Sequence, residues 1–146
     1  MKTAVTAARI LLGLLFFVAG LSGFVLISNP PPLPPGLAGE FQTVFFRSRW
    51  VLFVGAVQLI AGVLLLTNRF VPLALVLLGA VLSNILVFHL TMAPSGIVPG
   101  LVATALWAVV GRSYWPTFAP LFVPKAQARD LGERARQPQS LASARR

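Results

Sequence analysis

Residues 70–92, FVPLALVLLGAVLSNILVFHLTM, form an apolar run long enough to cross a bilayer, yet the run carries Asn84 and His89. Hydrocarbon holds no water to satisfy an amide or an imidazole, so each must find a partner on a neighbouring helix or line a polar cavity. The chain's other segments are therefore read as possible partners.

Three further apolar runs are available. Residues 10–27, ILLGLLFFVAGLSGFVLI, follow Lys2 and Arg9; the run exceeds a secretory signal core and lacks a small-x-small cleavage site before Ser28-Asn29-Pro30, so a retained helix is expected over residues 8–28. The prolines at 30, 31, 32, 34 and 35 end it and impose an extended connection. Residues 36–49 then place Leu37, Phe41, Val44 and Phe45, continued by Trp50, beside Glu40, Gln42, Arg47 and Arg49, the pattern of a short interfacial helix. A second crossing is expected over 50–67, interrupted near its middle by Gln58. The short turn at Asn68-Arg69 forces an antiparallel hairpin with the third crossing, 71–92. A turn at Ala93-Pro94-Ser95-Gly96 leads to the fourth, 97–115. The expected fold is all-α: an integral membrane four-helix bundle over residues 1–123, followed by a basic, solvated tail over 124–146.

Composition agrees with that class. Hydrophobic residues make up 57%, mean hydropathy is +0.85 and only 10% of residues are charged, outside the range of soluble domains. The net charge of +9 comes from 12 Lys and Arg against 3 acids. These basic residues gather at segment ends and in the tail, a topology signal rather than a nucleic-acid footprint. Lys2, Arg9, Arg69, Arg112, Lys125, Arg129, Arg134, Arg136, Arg145 and Arg146 fall on one side, and Arg47 and Arg49 on the other. Positive-inside bias therefore predicts cytoplasmic N- and C-termini. With no cysteine and one histidine, the chain alone can build neither a thiolate metal site nor a bis-histidine haem. It contains no nucleotide loop, nucleophile triad or paired carboxylate, so no catalytic residue and no metal is nominated.

Helical periodicity assigns faces. Arg9, Gly13, Phe16, Gly20 and Gly23 share one stripe; Gly55, Gln58, Gly62 and Leu66 share another; Gly100, Ala103, Trp107, Gly111 and Tyr114 a third. Small residues let helices approach closely, so these stripes are expected to face the interior. Asn84 and His89 lie about 140° apart on their helix and are expected to face different neighbours. A hydrogen bond between Gln58 and Asn84 is the simplest satisfaction of both. Arg9, Gln58, Asn84, His89 and Trp107 form the candidate ligand-binding set. Against it stand helix-holding roles for Gln58 and Asn84, a headgroup anchor for Arg9, packing for Trp107, and a backbone-satisfied ring for His89. Arg112, Lys125, Arg129, Arg134 and Arg136 are candidates for binding anionic lipid or a cytosolic partner.

Three stretches together, ARILLGLLFFVAGLSGF at 8–24, GAVQLIAGVLLLTNRFVPLAL at 55–75 and NILVFHLTMAPSG at 84–96, resemble the DoxX family of small four-helix membrane proteins. The resemblance spans about residues 6–123. It implies a bacterial inner-membrane bundle and an accessory place in a membrane redox complex, with a quinone as the cofactor to expect. It matches the family's basic residue at Arg9 and its second-helix polar position at Gln58, where many members carry a carboxylate. Gln58 keeps the hydrogen bonding but cannot exchange a proton. The glycine-rich close of the family's fourth helix is replaced here by GRSYWPTF. The alternative expectation is a structural membrane protein whose basic tail makes its contacts.

Overall fold

Prolines and glycines punctuate the chain into helices of different lengths. In the computed structural model, which describes residues 2–122, these are α1 (Lys2–Leu26), α2 (Leu37–Arg47), α3 (Trp50–Leu66), α4 (Val71–Thr91) and α5 (Ile97–Ser113), followed by the single turn α6 (Trp115–Phe118). Short 3-10 turns occupy Pro94–Gly96 and Ala119–Phe122. No strand occurs among the described residues. The helix limits follow the expected spans closely, except that α1 starts several residues earlier. Lys125, Arg129, Arg134 and Arg136 lie outside the described residues.

The chain is membrane-embedded by the length and apolarity of its helices. Three segments, Thr3–Leu26, Val71–Thr91 and Pro94–Ser113, are each long and apolar enough to cross. α3 is the exception, because its 17 residues rise only about 25 Å against a hydrocarbon core of about 30 Å. Joined to α2 through an 82° bend it makes a fourth candidate crossing. The bend turns at Arg49, a non-glycine residue in the left-handed region with φ 59°.

Glycine decides which helices come closest. A Cβ on Gly20 would stand 2.5 Å from the Leu59 nitrogen and 2.6 Å from the Gly55 oxygen, and one on Gly62 would stand 2.7 Å from the Phe17 nitrogen. α1 and α3 therefore run antiparallel with backbone against backbone, and any side chain at these positions would force them apart. α1 also packs on α5, and α4 packs on both α3 and α5. The predicted interior stripes are confirmed at Gly13, Phe16, Gly20, Gly23, Gly55, Gly62, Gly100 and Ala103, all buried.

The hydrophobic core occupies one end of this arrangement. Leu12, Phe16, Leu65, Leu75, Leu78 and Val110 are fully buried, with Ala61, Ala74 and Ala103 filling between them. These residues cluster toward the α3–α4 turn, where Asn68 and Phe70 adopt left-handed conformations to reverse the chain in a few residues. Toward the opposite end α3 is held to α1 through Gly20, Gly23, Gly55 and Val51. There α4 leaves α3, and a cleft opens between them.

Candidate functional site: a lateral cleft between α3 and α4

The cleft has a volume of about 800 Å³. One wall is α4, which contributes a stripe from Val76 to Met92, about 24 Å along the helix axis. The facing wall is the first half of α3, with Trp50, Phe53, Val54, Val57 and Gln58. α2 closes the end away from the α3–α4 turn with Phe41, Gln42, Phe45 and Phe46, assisted by Pro31 from the proline loop. α2 is fixed there from two directions. Gly39 lies so close to the proline loop that a Cβ would collide with the Pro34 carbonyl, and the Phe41 ring meets Phe88 of α4 at 5.3 Å between centroids. Phe53, Val76 and Val87 line the cleft yet stay exposed, so its long side opens onto the surface that lipid would cover.

Five polar side chains interrupt this apolar surface: Gln42, Gln58, Asn84, His89 and Thr91, whose hydroxyl donates back to the Val87 carbonyl at 2.8 Å. Asn84 Nδ2 donates to the Ala80 carbonyl one turn back at 2.9 Å, so one of its amide hydrogens is engaged within its own helix. His89 Nδ1 lies 2.9 Å from the Ala93 carbonyl, just past the end of α4. The imidazole edge rests on Gly96, where a Cβ would stand 2.5 Å from Cε1. Neither glutamine makes a side-chain hydrogen bond within the described residues. No non-exposed side chain there has a polar atom that is both sealed from the surface and unpartnered. The free polar atoms of Gln42 and Gln58 therefore reach the surface, as does His89 Nε2, on side chains that line the cleft.

Two expectations are corrected here. The Gln58–Asn84 hydrogen bond does not form, because α3 follows α1 and the cleft separates the two side chains. Asn84 and His89 do not face different neighbours. Both line the same cleft, because it is wide enough to admit residues 140° apart on α4.

The remaining members of the candidate set lie elsewhere. Arg9 donates to the Leu65 carbonyl across the α1–α3 seam. A guanidinium at the C-terminal end of α3 adds a second donor to a carbonyl that already accepts from the Asn68 N–H at 3.2 Å, and meets the negative end of the helix dipole. Trp107 Nε1 donates to the Leu75 carbonyl at 2.8 Å, and its ring packs on Gly79, tying α5 to α4. Neither residue lines the cleft. Arg112 is exposed near the end of α5, in keeping with a headgroup anchor and apart from the cleft.

The cleft residues that sequence patterning missed are Gln42 and the aromatics of α2 and early α3. Their crowding between Phe41 and Phe53 was visible in the sequence, but it reads equally as an interfacial belt. Only the 82° bend carries those rings over α4. No family model, no curated protein and no solved structure matches the chain.

Proposed function

We propose that the chain is a DoxX-like four-helix bundle of the bacterial inner membrane that receives a quinone-sized amphiphile in its lateral cleft, as an accessory subunit of a membrane redox system. The single observation that carries the reading is the cleft's composition: a long apolar trough, open sideways, with five polar side chains gathered in its middle and toward its α2 end. A purely structural bundle gains nothing from leaving Gln42 and Gln58 without partners, since an unmet amide in a low-dielectric setting costs about 1–3 kcal/mol.

The residues fit such a molecule. An isoprenoid or alkyl tail matches the apolar stretch around Val76 and Leu77. A polar ring head matches the level of Gln58 and Asn84, with Gln42 and His89 beyond. The aromatic side chains of α2 supply flat faces for a ring and shield it from the outer interface. When bound, a quinone would supply two-electron, two-proton redox capacity that the chain's own residues lack. In this reading the four crossings are α1, the bent pair α2–α3, α4 and α5. The positive-inside rule then sets both termini in the cytoplasm and α2 at the outer surface. The cleft head thus lies near the outer leaflet.

The test is saturable binding of decylubiquinone to the full chain in nanodiscs, with empty nanodiscs as the blank. Wild type should bind, Gln58→Leu should weaken binding about tenfold, and Ala80→Phe, which fills the cleft from α4, should abolish it without loss of helicity. Wild-type uptake no greater than the blank would overturn the proposal.

A further inference from the structure

His89 supports a more specific statement about what the cleft selects, and the statement rests on the cleft being a ligand site. A backbone carbonyl can only accept, so the 2.9 Å approach of Nδ1 to the Ala93 oxygen requires the hydrogen to sit on Nδ1. In the neutral ring Nε2 is then a bare acceptor. The ring is held by Gly96, packed against its Cε1–Nδ1 edge, and by Phe88, whose ring stands nearly perpendicular to it at 5.1 Å between centroids. Nε2 has no partner among the described residues and is not sealed off, so it reaches the surface of a side chain that lines the cleft. Nearby, Asn84 has spent one amide hydrogen on Ala80, which leaves its Oδ1 free to accept as well.

We infer that His89 Nε2 makes the cleft selective for a hydrogen-bond donor: an apolar-tailed molecule whose head bears a hydroxyl binds in preference to the same molecule bearing a carbonyl. A carbonyl head offers Nε2 nothing and leaves it unpaired in a low-dielectric site. A hydroxyl pairs with it directly. The glutamines do not discriminate in this way, since a carboxamide both donates and accepts. A quinol and its quinone are a suitable probe pair, because they differ at the head only in that respect. The inference concerns binding and requires no electron transfer by the protein.

The experiment compares decylubiquinol and decylubiquinone, under anaerobic conditions, on the full chain in nanodiscs with any affinity tag removed. His89 is the only histidine. A sample labelled with ¹⁵N-histidine therefore reports its two ring nitrogens alone. The expected result has three parts. Nδ1 is protonated and Nε2 bare in the free protein. The quinol binds about tenfold tighter than the quinone and alone shifts the Nε2 resonance. His89→Phe, which keeps a ring against Gly96, abolishes the preference, so that quinol and quinone bind alike.

Binding of both forms with equal affinity, or an unmoved Nε2 resonance with quinol bound, would overturn the inference and leave the cleft as a ligand site. A free protein with Nε2 protonated would overturn it too, without any ligand. Failure of both forms to bind saturably would overturn the inference together with the proposed function.

Discussion

Arg9 shows how one polar side chain near the start of an apolar helix acquires a structural duty. By reaching the Leu65 carbonyl it links the start of α1 to the end of α3, where backbone acceptors lack helical donors. Arg9→Met should therefore destabilise the protein by about 1–3 kcal/mol, the range for a lost charge-assisted bond, with Arg9→Lys recovering part of it. Equilibrium unfolding in mixed micelles would read both. Phe70 offers the opposite opportunity. An exposed phenylalanine at φ 50° sits in a region that costs an ordinary residue about 1–2 kcal/mol, so Phe70→Gly should raise the unfolding midpoint. No change, or a fall, would mean that the ring contributes more at the interface than the backbone loses. The duty of Arg9 was half legible in the sequence. Its stripe predicted an inward direction, but not that its partner would be a carbonyl on another helix, since a backbone acceptor leaves no mark in residue identity.

At the level of helices, the α1–α3 seam and the α3–α4 cleft are two results of one asymmetry. α3 has a small face at Gly55 and Gly62, with which it approaches α1, and a bulky face at Phe53 and Val57; Gln58, expected to point inward with the glycines, lies at the border and lines the cleft instead. Gly20→Ala should cost about 1–3 kcal/mol, because the new methyl meets backbone that cannot give way. Gly111→Ala is the matched contrast. Nothing lies within 4 Å of the added Cβ, so the better helix former should be neutral or stabilising by up to about 1 kcal/mol. If both changes prove equally harmful, the close approach at Gly20 is not what holds the pair. Helix limits were almost wholly readable from apolar runs and proline positions, and so were the small faces. The cleft was not, because periodicity assigns a face to each helix separately. It cannot say that two neighbours joined by a short turn will part at their far ends. The unmade Gln58–Asn84 bond follows from that blindness: two amides near mid-helix on a hairpin look paired until the tilt between the helices is known.

For the whole molecule, the distribution of charge and the sidedness of the cleft make a joint prediction. The chain contains no cysteine, so Thr3→Cys, Ser113→Cys and Ser95→Cys each introduce a single reporter. In intact inverted and right-side-out vesicles the first two should react with a membrane-impermeant maleimide from the cytoplasmic face, and Ser95→Cys from the outer face. Thr3 and Ser95 labelling from one side would overturn the proposed topology. The exposure of Phe53, Val76 and Val87 along the cleft has a further result for anyone titrating the protein. In the proposed reading its mouth gives onto hydrocarbon rather than water, so the reservoir with which the site exchanges is the bilayer itself. Occupancy then follows the mole fraction of ligand in lipid: adding buffer at fixed lipid leaves a strongly partitioned ligand in place, whereas adding empty vesicles drains the site.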